Sequence, residues 1–191
     1  MKRVIGNLVL GIIALLIINS CQKPKVFSEI PKITFKEFRQ FKTISGQDTS
    51  LDIVFSFEDG DGDLGYLENE FIRCNVPLNN LFMYYEVKQA GAFAPLNYFD
   101  HWLEFNDNCD TIVNDAFRQL HFESRMTYIQ PTGSSKSIEG EVSYHLSNTF
   151  IPFLFPNDSV QTAIGRLRFY IVDRAGHKSN EVISNDLNLS R

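Results

Sequence analysis

The segment from Glu58 to Gly65 alternates acidic residues with glycines, in the order Glu-Asp-Gly-Asp-Gly-Asp-Leu-Gly. A tight loop of this kind can turn Asp59, Asp61 and Asp63 toward one point, because Gly60 and Gly62 accept the positive φ angles that the curl needs. Ca²⁺ takes six to eight oxygen ligands in loose geometry, so it suits such a cluster better than Mg²⁺ or a transition metal. The segment predicts a calcium site. A solvated acidic turn is the alternative, since Asp-Gly pairs also form hairpins.

The spacing matches the EF-hand calcium loop only in part. Asp59, Asp61 and Asp63 fall at its positions 1, 3 and 5, and Glu70 falls at position 12. However, Leu64 stands where that loop needs glycine, and the preceding residues have the pattern of a strand rather than a helix. The segment is therefore not interpreted as an EF-hand, and Glu70 is the weakest candidate ligand.

A fourth carboxylate is expected from a distant turn, Asp173 to Lys178. If the strand before the acidic loop is the second of an immunoglobulin-like sandwich and the strand before Asp173 is the sixth, their following loops lie at the same end of the domain. Asp173 would then complete the ligand shell with Asp59, Asp61 and Asp63. An aspartate at a strand end also commonly bonds its own backbone, which is the alternative role for Asp173.

The elements that would position these residues are short β-strands, because apolar residues alternate with polar ones. In Ser50–Phe57, for example, every second residue from Leu51 to Phe57 is apolar. Further strands are predicted at 32–41, 81–87, 117–125, 138–146, 167–171 and 181–189. About seven strands separated by turns predict an all-β protein with a single immunoglobulin-like β-sandwich over residues 32–191. Residues 97–115 are expected to form a long loop or to contain a short helix.

The amino terminus has the pattern of an export signal. Lys2 and Arg3 precede an apolar run from Val4 to Ile18, which is shorter than the roughly 20 residues that span a bilayer. Asn19-Ser20-Cys21 follows the run, and together with Ile18 it resembles the bacterial lipoprotein signal, in which the cysteine is diacylated and the new amino terminus is acylated. The sequence predicts a signal peptide at 1–20, then lipidated Cys21 and a proline-containing tether at 21–31. The alternatives are an ordinary secretory signal and an uncleaved helix.

Charge limits the partners. Without residues 1–20 the chain has 16 basic and 23 acidic side chains, a formal charge of −7. Nucleic acid is not an expected partner, because no cluster of Lys and Arg is present to bind phosphates. The lipid is expected to hold the protein at the membrane, and an envelope protein or a glycan is the expected ligand.

Cys74 and Cys109 remain once Cys21 is assigned to the lipid. An exported protein matures where disulfides persist, so these two cysteines either pair or stay as buried thiols. A disulfide would stabilise the fold by roughly 3–4 kcal/mol in the chain-entropy model.

Aromatic residues suggest a second kind of site. Tyr84, Tyr98 and Trp102 lie in or near the uncertain region and would form a platform for sugars or a partner protein if exposed. Burial by a second sheet is the alternative.

Enzyme motifs are absent: the four histidines lie far apart, and Asp100 and Glu104 alone do not establish a glycosidase pair. The protein is expected not to be an enzyme.

The lipoprotein signal together with the segments FSFEDGDGDLG, PTGSSKSIEGEVSY and FYIVDRAGHKSNEV resembles uncharacterised lipoproteins of Bacteroidota that carry an immunoglobulin-like or cadherin-like domain. The resemblance covers nearly the whole mature chain and implies a fold and an outer-membrane location, not an activity. Surface-exported lipoproteins of that phylum carry acidic residues just after the lipidated cysteine. Here Gln22-Lys23-Pro24-Lys25 follows, which favours the periplasmic face.

The expected function is that of a non-enzymatic, lipid-anchored envelope protein, a calcium-stabilised binding or scaffolding module. The alternative is a glycan-binding accessory lipoprotein of an outer-membrane uptake system.

Overall fold

A computed structural model describes residues 26–191 except 72, 73, 75, 77 and 132–135, and only the backbone of His101. The predicted signal peptide and Cys21 lie outside the described residues. The described chain is all-β, with eleven strands and a 3₁₀ turn at Ile151–Leu154. The strands are β1 Lys32–Lys42, β2 Asp48–Asp59, β3 Leu81–Gln89, β4 Ala92–Pro95, β5 Asn97–Phe105, β6 Thr111–Gln119, β7 His121–Ser124, β8 Ile138–Leu146, β9 Thr162–Ile171, β10 Val182–Ile183 and β11 Leu187–Ser190.

Two antiparallel sheets form the body of the protein. The first has the order β1-β2-β8, and the second is centred on β9 and β3. β10 and β11 lie end to end along the edge of β9 away from β3. β4 and β7 likewise lie end to end along the edge of β3 away from β9. The count exceeds the predicted seven strands because two edge strands are interrupted and an extra hairpin is present.

That hairpin, β5 and β6, is a separate two-stranded sheet inserted between β4 and β7. It leaves the second sheet beside Tyr85, whose N–H donates to the carbonyl of Leu120 (2.9 Å) and whose carbonyl accepts the N–H of Leu96 (3.4 Å). We call Asn97–Gln119 the arm. The expected loop or short helix at 97–115 was wrong, and the predicted strand 117–125 is divided between β6 and β7.

The two main sheets pack face to face over an apolar core. β2 buries the alternating set predicted from its sequence, namely Leu51, Ile53, Phe55 and Phe57. The opposing β9 buries Leu167, Phe169 and Ile171. The rings of Phe55 and Phe169 meet across the interface with centroids 5.3 Å apart. Burial of each such side chain stabilises the fold by roughly 1.5–3 kcal/mol, so this interface holds the two sheets, and the residues at their ends, in register.

A disulfide joins Cys74 to Cys109, with Cα atoms 5.3 Å apart. Cys109 lies in the turn at the tip of the arm, and Cys74 lies in the segment between the acidic loop and β3. A two-stranded hairpin alone is at best marginally stable in water. The cross-link therefore restrains the end of the arm that is farthest from the second sheet.

We predict that the double substitution Cys74→Ser and Cys109→Ser loosens the arm more than the core. Hydrogen–deuterium exchange followed by mass spectrometry should show faster exchange of the amides in 97–119, because the hairpin loses its distal restraint. Amides of β3 and β9 serve as the internal control and should change far less. Unchanged exchange in the arm would contradict this role for the disulfide.

Candidate metal centre

Each main sheet brings one aspartate to the same end of the core. The core-facing alternation of β2 runs through Phe55 and Phe57 and continues to Asp59, which is 0% exposed. The alternation of β9 runs through Ile171 and continues two residues further to Asp173, which is 1% exposed. Both carboxylates occupy positions where the period of the strand would place an apolar side chain.

The acidic loop adds two more carboxylates, from Asp61 and Asp63. One side-chain oxygen from each of Asp59, Asp61, Asp63 and Asp173 lies within 4.8 Å of the others. Oxygens on opposite sides of one Ca²⁺ are separated by about 4.6–5.2 Å, twice the usual ligand distance. The structure thus brings together the four aspartates that the sequence predicts as ligands, in a space that one such ion can span.

Backbone groups orient these side chains. The N–H of Asp63 donates to Oδ2 of Asp59 (3.1 Å), and the N–H of Ala175 donates to Oδ2 of Asp63 (2.9 Å). The other oxygen of each group is different: among the described residues, Oδ1 of Asp59, of Asp61 and of Asp63 is buried and meets no hydrogen-bond donor. Buried carboxylate oxygens without a partner are costly, and a cation is the partner that would satisfy three of them together.

The pKa shifts of Asp59 and Asp63 also show that their carboxylates lie in a place unfavourable to negative charge. Burial raises the pKa of Asp59 from its ordinary 3.8 to about 7, and the charges of Asp61 and Asp63 add to this effect. Burial also raises the pKa of Asp63, with further contributions from Asp173 and Asp61. Neighbouring charges about 5 Å apart repel by on the order of 1–3 kcal/mol per pair, depending on the effective dielectric constant. Without a counter-ion, Asp59 and Asp63 therefore hold a proton more readily than exposed aspartates do.

The glycines of the loop have two different roles. Gly62 has a φ of +70°, as the sequence predicts, and a Cβ there would lie 2.1 Å from the carbonyl oxygen of Lys136. The prediction of a positive φ at Gly60 was wrong. Gly60 is needed for close packing, since its Cβ would lie 2.5 Å from the carbonyl oxygen of Phe27, and its N–H donates to the carbonyl of Ser28 at 2.8 Å.

Asp173 combines both roles considered from the sequence. Its Oδ1 accepts the backbone N–H of His177 (2.7 Å), and its Oδ2 accepts Nδ1 of the same residue (2.8 Å). The carboxylate is thus fixed by its own turn and still lies in the cluster, because each oxygen has two lone pairs. Hydrogen bonding to Asp173 raises the pKa of His177, which places a basic group next to the acidic site.

Glu70 lies outside the four-aspartate group. Its carboxylate pairs with the guanidinium of Arg174 through both oxygens, and one of them also accepts the N–H of Leu67 (2.6 Å). Arg174 in turn lies over the rings of Tyr66 (5.8 Å) and Tyr128 (5.3 Å). This pairing lowers the pKa of Glu70 and gives its carboxylate a partner other than the candidate ion.

Arg125, which the sequence analysis does not identify, organises the chain after the acidic loop. Its guanidinium donates to four backbone carbonyls, those of Leu67, Glu68, Glu70 and Leu78, over distances of 2.7–3.1 Å. Arg125 is 55 or more positions away from the first three of these in the sequence, so no local pattern could identify it.

The aromatic residues predicted as a ligand platform lie on a connected surface. Tyr84 stacks on His121 with centroids 6.2 Å apart, and Arg118 donates to His121 (2.9 Å). The guanidinium of Arg118 lies 4.4 Å above the ring of Trp102. Tyr98 donates its hydroxyl to Asp100 (3.1 Å) and packs against the core. A face of Trp102 is therefore covered by a cation, where sugar stacking would need an open ring.

Comparison with known proteins does not identify a family for this chain. No family model matches the chain, and no curated protein matches it. Three solved chains match. One of these is the X-ray structure of Northeast Structural Genomics Consortium target SoR45, with 8% sequence identity, 86% of this chain and 89% of that chain covered, and a TM-score of 0.22. A TM-score this low does not show a shared fold. Within the described residues, no helix has the length and apolar character needed to cross a membrane.

We predict that, in chelator, the protein loses stability as the pH rises from about 5 to about 7. The folded state holds the proton of Asp59 up to a pKa of about 7, whereas the unfolded state releases it near 3.8, so the folded state binds more protons in this window. The slope is at most about 1.4 kcal/mol per pH unit for one group. Chemical denaturation at each pH measures it.

Asp59→Asn is the control for this prediction, since it removes the titrating group and should flatten the curve. Part of the slope should remain, because the raised pKa of Asp63 changes stability in the same direction, and the raised pKa of His177 adds to it at the upper end of the range, near and above its ordinary 6.5. An unchanged slope in Asp59→Asn would show that Asp59 is not the group responsible.

Proposed function

We propose that this protein is a non-enzymatic, lipid-anchored envelope protein whose β-sandwich is stabilised by one Ca²⁺ ion and serves as a binding or scaffolding module. The observation that carries the proposal is the buried cluster itself: one side-chain oxygen from each of Asp59, Asp61, Asp63 and Asp173 lies within 4.8 Å of the others, and the first three residues each have a buried oxygen without a hydrogen-bond partner. A solvated acidic turn would leave such oxygens in water. Burial makes a bound cation the better explanation.

The chemistry of the donor set favours calcium. All four candidate ligands are carboxylates, which are hard oxygen donors, and no cysteine or histidine belongs to the cluster among the described residues. Four carboxylates can supply four to eight oxygens, depending on how many bind through both atoms, which covers the six to eight that Ca²⁺ takes. A 2+ charge would offset half of their formal charge of −4.

The ion's role would be structural. Asp59 comes from the first sheet and Asp173 from the second, so a shared ion would join the two sheets where their apolar contact ends. Binding of the ion by Asp61 and Asp63 would fix the acidic loop that follows β2. Bringing these four charges together would then stabilise the folded state instead of destabilising it.

The order of the strands supports the immunoglobulin-like part of the proposal. With each interrupted edge strand counted once, the first sheet has three positions and the second has four. β1-β2-β8 corresponds to strands A, B and E of that fold, and β10/β11-β9-β3 corresponds to G, F and C. β2 and β9 are then the second and sixth strands, and the loops that follow them lie at one end of the domain, where the aspartates meet.

The envelope part of the proposal has its support in the sequence: the signal-like residues 1–20, Cys21 and the resemblance to lipoproteins of Bacteroidota. The proposed location is the outer membrane, with the periplasmic face favoured by the basic residues after Cys21. A disulfide between Cys74 and Cys109 suits an oxidising compartment.

We predict that calcium raises the melting temperature of the chain expressed without residues 1–20. Free Ca²⁺ at about 100 times the dissociation constant adds about 2.7 kcal/mol. For a domain of this size that is a shift of roughly 5–10 °C. Differential scanning calorimetry in calcium and in chelator measures it, and equal melting temperatures would exclude the site.

Asp61→Asn makes the test sharper, because it should act in opposite directions in the two conditions. In chelator the variant should melt higher than the wild type, since one repelling charge is gone. In calcium it should lose most of the shift. Glu70→Gln is the matched control, as Glu70 pairs with Arg174 outside the cluster. That variant should keep the full calcium shift, and its loss would make Glu70 a ligand.

We also predict that Cys21→Ala prevents lipid attachment. Without the acylated cysteine, the full-length variant should not be processed to the lipidated form, and any of it that loses residues 1–20 should stay in the aqueous phase on phase separation. Ser20→Ala keeps a small residue before Cys21 and should partition like the wild type. Membrane retention of a signal-cleaved Cys21→Ala protein would contradict lipid anchoring.

A further inference from the structure

One face of the arm is largely apolar and exposed to solvent, interrupted midway by the paired positions His101 and Asp115. Five of its large apolar side chains are strongly exposed: Phe99 by 51%, Leu103 by 61%, Phe105 by 43%, Val113 by 65% and Phe117 by 76%. All five lie at odd-numbered positions, and side chains two apart on a strand share a face. The pairing of Phe99 with Phe117 and of Leu103 with Val113 places the two strands' sets on the same face.

The opposite face of the arm is different. It carries Tyr98, Asp100, Trp102 and Glu104 on β5, which bond with one another, and Arg118 on β6. Its exposed large apolar residue is Ile112, at 43%. The apolar face is therefore a property of one side of the hairpin and not a general feature of its sequence.

The arm also lacks the features that protect exposed strands from association. Edge strands are commonly guarded by lysine, proline or bulges. Residues 97–119 contain no lysine and no proline, and the register of β5 with β6 runs without a shift. In the described part of the chain, each of these two strands pairs only with the other. The arm thus presents one exposed, largely apolar face, and a disulfide restrains its tip.

The size of the face suits a weak but specific interface. With about 200 Å² for each large side chain, the exposed fractions of the five residues amount to roughly 600 Å². This is as large as the largest apolar patch of a typical monomer. Two such faces packed together would bury about 1,200 Å², the lower limit for a specific protein–protein interface.

We propose that two copies of this chain associate through the apolar faces of their arms, in an isologous dimer. Two sheet faces with alternating apolar residues pack on each other as the layers of a sandwich do, and a two-fold axis lets each copy offer the same patch. Near the tip, a cavity of about 390 Å³ between the arm and Cys74 and Val76 is partly lined by Leu103 and Phe105. It offers space for an apolar side chain from the second copy.

Charge argues against a membrane surface as the occupant. The arm has five carboxylates and one arginine, so an anionic lipid surface would repel it. A second copy avoids most of this repulsion, because Asp100 and Glu104 lie on the opposite face and Asp107 and Asp110 lie in the tip turn. On the strands, the apolar face itself carries one carboxylate, Asp115. This inference does not depend on calcium binding.

Sedimentation equilibrium of the full-length protein in density-matched detergent tests the proposal, over about 1–100 µM protein. The wild type should dimerise, and Val113→Asp should raise the dissociation constant at least tenfold, because a charge would be buried at the interface. Ile112→Asp is the matched control: it is the next residue, it is also exposed, and it lies on the opposite face. It should dimerise like the wild type. Circular dichroism and thermal melting should show that both variants are folded.

Each other outcome contradicts the proposal. A wild type that stays monomeric over the whole range excludes a dimer. In that case, flotation with anionic vesicles of the chain expressed without residues 1–20, which carries no acyl chains, would assign the face to lipid instead. Equal weakening by Val113→Asp and Ile112→Asp would mean that the apolar face is not the contact. A dimer that survives Val113→Asp would mean that another surface forms it.

Discussion

The fold of this protein must accommodate four carboxylates that meet at one end of an otherwise apolar sandwich. Asp59 and Asp173 are as deeply buried as the phenylalanines that precede them in their strands. Packing of the two sheets therefore forces like charges together, and the hydrophobic gain of the core opposes an electrostatic cost at its end. The backbone N–H groups of Asp63, Ala175 and His177 each offset part of this cost. A proton or a divalent ion is needed for the rest.

Two arginines, Arg174 and Arg125, organise the chain around the acidic end. Arg174 binds Glu70 and lies against two tyrosines, and Arg125 gathers the carbonyls of the loop before β3. Neither guanidinium supplies the partnerless oxygens of the cluster. Both arginines fix the long connection between β2 and β3, which contains Asp61 and Asp63 at its start and Cys74 further along. The same connection thus links the candidate metal centre to the arm.

Much of the site could be predicted from the sequence because its signals are local. Period-2 alternation located β2 and β8, and the spacing of Asp59, Asp61 and Asp63 indicated a common point. Asp173 required only the assumption that the second and sixth strands end together. The arm could not be predicted, because Phe99, Leu103 and Phe117 alternate toward solvent instead of a core, and Trp102 on the other face obscures the pattern. The contacts of Arg125 depend on tertiary structure alone.

The close packing of Gly60 on Phe27 and Ser28 has a consequence for how the protein stands in the envelope. With Cys21 in the bilayer, as proposed, Ser28 lies only seven positions further along the chain. The two residues can therefore be at most about 25 Å apart. The acidic end of the sandwich would then be the end nearest the headgroups, where anionic lipids concentrate divalent cations. The opposite pole, with the β3–β4 turn at Gly91, would point away from the membrane. A short tether attached to one end of the domain restricts its rotation, so the domain would keep the same side toward neighbouring proteins.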